Sequence, residues 1–597
     1  MSRMTDASAS PSAAESSGAP SHRLDDGDPP WPLRPWIMAA IGAVAGLIFH
    51  WVVDWRYDAV RAPGRDAAAA FVAVATVVFL LGVERRRWHW AAGFALGWGA
   101  IIGLIAWTSG GYNVGGSPFE WPFWSGILAV LVATPLFQTR RDVAPDWRFW
   151  KLWQMPYERL HSHAWTDAVI GAAGLAFVGI SFLLTVLIGQ MFKLIGINLI
   201  FDLLNDEWFG WMLAGAAFGG AVGLLRERDR LVATLQRLVM IVLAVLAPVL
   251  AVALGLFLLS LIGTGLAPLW ESGFSTAALM MAAAAFAVLL ANAVIGNGRE
   301  DRSGNRVLHG AAAVLAVAVL PLAVIAFYSM HLRVIQYGWT PERIWGVIAA
   351  MIALGYGAVG LWAAVKGRRD FDDVLRPLQQ RLAIGLTLIA LFLALPIMDF
   401  GAISTRDQLA RLKAGTVKAE KFDWAAMAFD FGPSGRKALA ELAKSPDKAR
   451  ASLAGWALKA KDRWDLVGYN ETVNPRDAAF GAKAIAEKVR VLPAGRPLPP
   501  EVYTLLDTRS FCGTAPCIAQ WIGPERIAVV VHPNNLILFA RDPKTQAWGQ
   551  DYGIDATVEA ARAELTTEQL EKGVLEIRTV TRRQIFVDGK PVGDDFE

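Results

Sequence analysis

The chain has 597 residues, 54% of them apolar, with 25 Trp and a mean hydropathy of +0.38. That composition excludes a single soluble domain. The net charge of +4 is small, and the positive residues form no basic face, which argues against nucleic acid as a partner.

Residues 1–30 are rich in Ser, Ala, Pro and Asp and lack the short apolar core of a cleavable signal peptide. They read as a disordered cytoplasmic tail. Eleven apolar stretches follow, near 36–53, 67–83, 90–107, 124–137, 168–190, 209–225, 235–262, 275–295, 307–329, 343–365 and 380–400. A helix crossing about 30 Å of hydrocarbon needs roughly 20 residues. The stretch at 124–137 is the shortest, has Pro135 near its end, and would invert everything downstream if it failed to cross.

The loops fix the phase. Every second one carries Arg85 to Arg87; Arg140, Arg141, Arg148, Lys151 and Arg159; Arg226, Arg228, Arg230 and Arg237; Arg299, Arg302 and Arg306; or Lys366, Arg368, Arg369, Arg376 and Arg381. The alternate loops hold only Arg56, Arg61, Arg65, Lys193 and Arg333. Short positive loops stay cytoplasmic, so the expected orientation is N-terminus inside and C-terminus outside.

Small residues recur at helix-packing spacing: Gly93 and Gly97, Gly99 and Gly103, and Gly215, Gly219 and Gly223. They suit close approach within the bundle, with a dimer face as the alternative. Residues 146–160 mix Trp147, Phe149, Trp150, Trp153 and Tyr157 with Arg148, Lys151 and Arg159, as an in-plane interfacial helix would. Residues 191–208 read as an in-plane or re-entrant piece on the other side.

Mid-span positions are nearly free of ionisable residues, and no Asp, Glu or Lys chain of a proton-coupled transporter is evident. His161 and His163 with Asp167 are candidate metal ligands. On a helix, residues two apart point well away from each other, so this pair requires non-helical backbone; interfacial histidines beside Trp165 explain the same letters. No other cofactor signal is present. Tyr337, Trp339 and Arg343, with Asp399, are candidates for an outer-face site, anchoring at the headgroup level being the alternative. Thr340, Pro341 and Glu342 between them have ordinary roles as N-cap, first helical residue and dipole partner.

Here the sequence resembles a known family. The string Tyr337-Gly338-x-Thr340-x-x-Arg343, Tyr157, Ala164-Trp165 and Glu420-Lys421-Phe422-Asp423 are similar to bacterial inner-membrane proteins catalogued as domain of unknown function 4153. The resemblance covers roughly residues 30–480. It implies a bacterial inner membrane and no established activity, and it transfers no functional residue.

From about 401 the composition turns soluble, with 28 Lys and Arg against 26 Asp and Glu. Amphipathic helices are expected at 404–415, 423–430, 434–444 and 447–461, forming an extracytoplasmic helical segment over 401–494. Past Gly495 to Pro500 the period shifts toward two. Strands are expected at 501–506, 526–532, 535–541, 574–581 and 583–587 and a helix at 556–572, making a small α+β domain over 495–597. Two thiols cannot complete a structural zinc site, but Cys512 and Cys517 can close a disulfide loop.

The fold expected is therefore an α-helical polytopic membrane protein with about 11 transmembrane helices and a C-terminal extracytoplasmic α+β domain. No nucleophile–base pair, phosphate loop or H-E-x-x-H helix is present in the sequence. The leading functional expectation is a non-enzymatic scaffold that binds or senses an envelope protein or lipid through residues 401–597. A permease for a neutral or lipid-like solute comes second. An enzyme acting on a lipid-linked substrate at the outer face, with Trp339, Arg343, Asp399 and Asp202, comes third. The oligomeric state is not readable.

Overall fold

The computed structural model describes residues 30–53, 63–109, 117–143, 155–271 and 275–460. Beyond these it describes 463, 466, 486, 489–493, 495–508, 517–531, 535–541, 546, 548–550, 583–587 and 590–596. Two compact units emerge: residues 1–416 with 423–458, and residues 417–422 with 459–597.

The first unit is helical. Its long helices are α1 (Arg34–Val53), α2 (Pro63–Gly82), α3 (Trp88–Ser109), α4 (Ser117–Val143), α5 (Tyr157–Leu194), α7 (Glu207–Arg226), α8 (Asp229–Thr264), α10 (Thr276–Ile295), α11 (Arg306–Tyr337), α12 (Pro341–Gly367) and α13 (Phe371–Ala394). Short α6 (Leu199–Asn205) and α9 (Ala267–Glu271) lie between them. Among the described residues, ten helical runs are long and apolar enough to cross a membrane, the tenth being Pro341–Ala394. That run is broken at Arg368, whose φ is +50°, and α12 and α13 pack against each other, so it contains both of the last two expected spans. The chain is a multi-pass membrane protein.

Helix starts follow ordinary chemistry. Ser275, Asn305 and Thr340 cap α10, α11 and α12, their side-chain oxygens accepting from Ala278, Val307 and Arg343 N–H. The expectation of a short fourth span is corrected: α4 has 27 residues, about 40 Å at 1.5 Å per residue. It has the largest buried share of the ten runs, so most of it meets protein, while Trp124 and Leu131 stay exposed. Protein walls supply partners that lipid cannot; Ser125 Oγ donates to Ala390 O of α13 at 2.9 Å.

Alanine-rich seams hold the bundle. One apolar cluster joins α8, α10, α11 and α12 to Phe371 and Leu375 at the start of α13. Another joins α2, α3 and α4 to Ala390 and Ala394 at its end, so α13 bridges the two. The glycine expectations divide three ways. Gly215 and Gly219 press against the backbone of Gly42 and Met38 in α1, and Gly223 against Pro35. Gly99 and Gly103 pack on Phe71 and Ala67 of α2, whereas nothing stands within 4 Å of a Cβ at Gly93 or Gly97.

After α13 come α14 (Phe400–Lys413), a π-helical turn at Ala426–Asp430, α15 (Gly432–Leu442) and α16 (Lys448–Lys459). These match the four expected amphipathic helices, and residues 423–458 belong to the first unit.

The second unit contains a five-stranded sheet in the order β1 (Val489–Leu492), β2 (Cys517–Trp521), β3 (Arg526–Val531), β4 (Asn535–Arg541) and β5 (Trp548–Gln550). Strands β1 and β2 are parallel and the rest antiparallel. A parallel pair needs a crossover, and α17 (Pro500–Thr508) lies between its strands in sequence. Residues 501–506 are thus helix, not strand: Pro500 opens it, and Val502 and Leu506, four apart, are buried in one core with Ile527, Val529, Ile537 and Phe539. A separate antiparallel pair joins β6 (Arg583–Val587) and β7 (Lys590–Phe596). The strand expected at 574–581, the helix at 556–572 and residues 146–154 of the in-plane helix expected at 146–160 lie outside the described residues, while Tyr157 to Leu160 open α5.

Candidate functional site

The outer-face candidates are held together by backbone capping. Gly338 ends α11 with φ +78°, which leaves the carbonyls of Tyr337 and Gly338 without helical partners. Arg343 Nη1 donates to both, at 3.1 and 2.7 Å, with its guanidinium 5.4 Å from the Tyr337 ring centroid. From α14, Asp407 accepts from Trp339 N–H at 2.8 Å, and Gln408 Nε2 donates to the carbonyls of Tyr337 and Trp339. Asp399 is elsewhere. It caps α14 by accepting from Ala402 N–H at 2.8 Å and accepts from Ser434 Oγ at 2.9 Å. So Tyr337, Trp339 and Arg343 share one loop, and Asp399 does not join them.

The metal candidates also separate. Both histidines and Asp167 lie inside α5, so the non-helical backbone they require is absent. His163 Nε2 pairs with Asp142 Oδ2 at 2.9 Å, and Asp167 Oδ1 accepts from Gln138 Nε2 and Arg226 Nη2 at 3.1 and 3.3 Å. His161 points to another side, accepting from Trp165 Nε1 at 3.2 Å. Among the described residues no group of three or more His, Cys, Asp and Glu could hold a metal ion. Cys517 is buried at the start of β2; Cys512 lies outside the described residues.

Sequence reasoning missed a buried polar layer at one end of the bundle. Glu84, 1% exposed, takes Arg87 at 2.8 Å and also Arg141. Arg141 Nε donates to Asp142 at 3.0 Å, and Asp142 in turn holds His163. A second network joins Arg376 to Asp372 and Asp373 at 2.6 and 3.0 Å, and Arg302 and Arg299 to Asp370 and Asp373. Hydrogen bonds to Asp373 and Asp370 raise the Arg299 and Arg302 guanidinium groups further above their ordinary range, so both stay charged. The first turns of α5 link the networks: Tyr157 O–H donates to Gln379 at 3.1 Å, and Asn297 Nδ2 to Ser162 Oγ at 3.2 Å.

The signal for this layer was partly visible as charge pairs at helix ends, such as Asp372 and Arg376 four apart. The bonds bring the α2–α3, α4–α5, α7–α8, α10–α11 and α12–α13 connections to the same end. They are the five Arg-rich loops. Arg34 Nη2 donates to Val83 O at 2.7 Å, placing the start of α1 there too.

A family model described as Domain of unknown function (DUF4153) matches residues 36–442. The chain belongs to this family. The match spans the helical bundle together with α14 and α15 and stops before the sheet of the second unit. No curated protein and no solved structure matches this DUF4153 chain.

Proposed function

We propose that this DUF4153 chain is a non-enzymatic protein of the bacterial inner membrane that presents its C-terminal residues outside the cytoplasm, where they bind or sense an envelope component. One observation carries the orientation: the five Arg-rich loops meet at one end of the bundle, while α14 clasps the opposite, Tyr337–Arg343 end. Arginine-rich loops stay on the cytoplasmic side, so the chain enters from the cytoplasm and leaves the bundle beyond the bilayer. Dual reporters test it. A phosphatase fused near residue 410 is expected to be active and a fluorescent protein there dark; the reverse result overturns the placement.

The Cys512–Cys517 disulfide belongs to this reading, since an exported compartment is oxidising. Full alkylation of both thiols without reductant would count against the bond and the placement together. For the binding role, crosslinking of the full chain in envelope membranes should trap a protein or lipid on residues 459–597. Adducts confined to the bundle would count against it. A permease ranks second because such sites draw polar groups together near the midplane. Here the buried charged groups of the bundle, such as Arg141, His163, Asp372 and Arg376, lie in the last turn of α4 and the first turns of α5 and α13.

A further inference from the structure

The arginines at the Arg-rich end of the bundle are of two kinds. Arg141, Arg226 and Arg376 have nearly buried side chains, and each has a carboxylate on it. Arg230, Arg237 and Arg306 are exposed, and among the described residues their side chains make no hydrogen bond, ion pair or ring contact. An unpaired guanidinium keeps its full charge and its five donors for whatever lies outside the bundle.

Helical spacing puts the three on faces that meet the bilayer. In α8, Arg230 and Arg237 share a face that continues through Ile241, Val245 and Val252, all more than half exposed. From Leu238 to Ile262 this helix carries no charged residue over about 37 Å, more than the roughly 30 Å of hydrocarbon. Arg237 therefore stands where the headgroups begin. In α11, Arg306 is at the foot of the face that carries the exposed Val317 and Val324. The two helices start at the same end and pack together, Ala244 and Ala247 sharing one apolar cluster with Ala311 and Ala312. Arg237 precedes Ala244, and Arg306 precedes Ala311, by about 10 and 8 Å along the helix axes. Both arginines thus flank the mouth of the α8–α11 seam.

These faces are apolar through the hydrocarbon and cationic at its edge, and an anionic phospholipid has the complementary pattern. We propose that the α8–α11 seam seats an anionic phospholipid. Its phosphate accepts from Arg237 and Arg306, Arg230 adds charge two turns below, and the acyl chains lie along Ile241, Val245 and Val317. Charge complementarity selects this occupant. Neither helix has an Asp or Glu between Arg230 and Thr264 or between Arg306 and Tyr337. The acids nearest Arg306 in sequence, Glu300 and Asp301, lie in the turn before α11, which Ser303 N–H ties back to Val294 O of α10. Neither pairs with Arg306. The inference is independent of which side of the membrane this end faces and of what the C-terminal unit binds.

The test is native mass spectrometry of the detergent-purified full chain, titrated with phosphatidylglycerol and, as the zwitterionic control, phosphatidylcholine. The wild type should retain phosphatidylglycerol in preference. R237Q and R306Q should each weaken that binding about fivefold. R299Q removes the same charge at the same end, but from a pair with Asp373, and should leave it unchanged. Equal retention of the two lipids overturns the proposal, as does phosphatidylglycerol binding that neither R237Q nor R306Q weakens. Equal weakening by R299Q also overturns it, since overall charge rather than a seat would then hold the lipid. All three side chains are exposed, so each variant should fold; if R306Q does not, R230Q takes its place with the same expected and overturning results.

Discussion

Gly42 of α1 and Gly215 of α7 stand backbone against backbone, so that a Cβ on either would fall on the other's carbonyl oxygen. Gly46 and Gly219 repeat the contact on Trp211 and Met38. Association in lipid depends on such close packing, since apolar burial adds nothing between helices already in hydrocarbon. Gly215→Val should therefore destabilise by at least the roughly 1–3 kcal/mol of an overpacked core. Gly97→Val, with open space around it, should leave the melting temperature unchanged. Equal melting temperatures for the two variants would refute the α1–α7 contact.

Arg141 is the centre of the charged layer, with side-chain exposure of 2% and carboxylates of Glu84 and Asp142 on it. Arg141→Met leaves Glu84 to the partly exposed Arg87 and Asp142 to Arg87 and His163, and losing one partner of a buried ion pair costs up to about 3–5 kcal/mol. Arg299→Ala removes a pair that water already screens and should leave unfolding nearly unchanged. Chemical unfolding of the two variants in detergent compares them directly.

The Tyr337–Arg343 loop should respond as a capping structure. Thr340→Ala removes an N-cap and should cost about 1 kcal/mol. Gly338→Ala should cost more, because its φ of +78° disfavours a side chain and Asp407 fills the place where a methyl would go. Hydrogen exchange would register both as faster opening of residues 337–345. A Gly338→Ala chain with wild-type protection would contradict this account.

In the second unit, the Arg496 guanidinium lies 3.7 Å from the Trp521 ring centroid, and Trp521 Nε1 donates back to Arg496 O at 3.2 Å. Arg496→Ala should destabilise this unit by about 0.5–1 kcal/mol. Exchange rates of β2 and β3 amides would show it; unchanged rates there would mean that the stack contributes nothing.

Much of the architecture was legible because hydropathy and loop charge are properties of segments. A run such as 307–329 needs no partner to declare itself apolar, and Arg85 to Arg87 are positive wherever they sit. The four helices after Met398 were legible for a similar reason, their Gly432-Pro433 and Ser445-Pro446 breaks being local. Residues 501–506 misled because an apolar run of six fits strand or helix equally, and only the shared core of Val502 and Leu506 with the sheet decides.

What the sequence by itself determined is the succession of apolar segments and the Arg-rich loops that alternate between them. Tertiary structure alone decided the partners of each polar group. His161 and His163, two letters apart, take different partners, Trp165 of the same helix and Asp142 of α4, because a helix turns them away from each other. Arg141 and Arg376, which the sequence presents as loop charges, are buried by neighbours far along the chain. Hydropathy records the cost of placing a residue in lipid, whereas a buried ion pair depends on a second residue that only folding brings near.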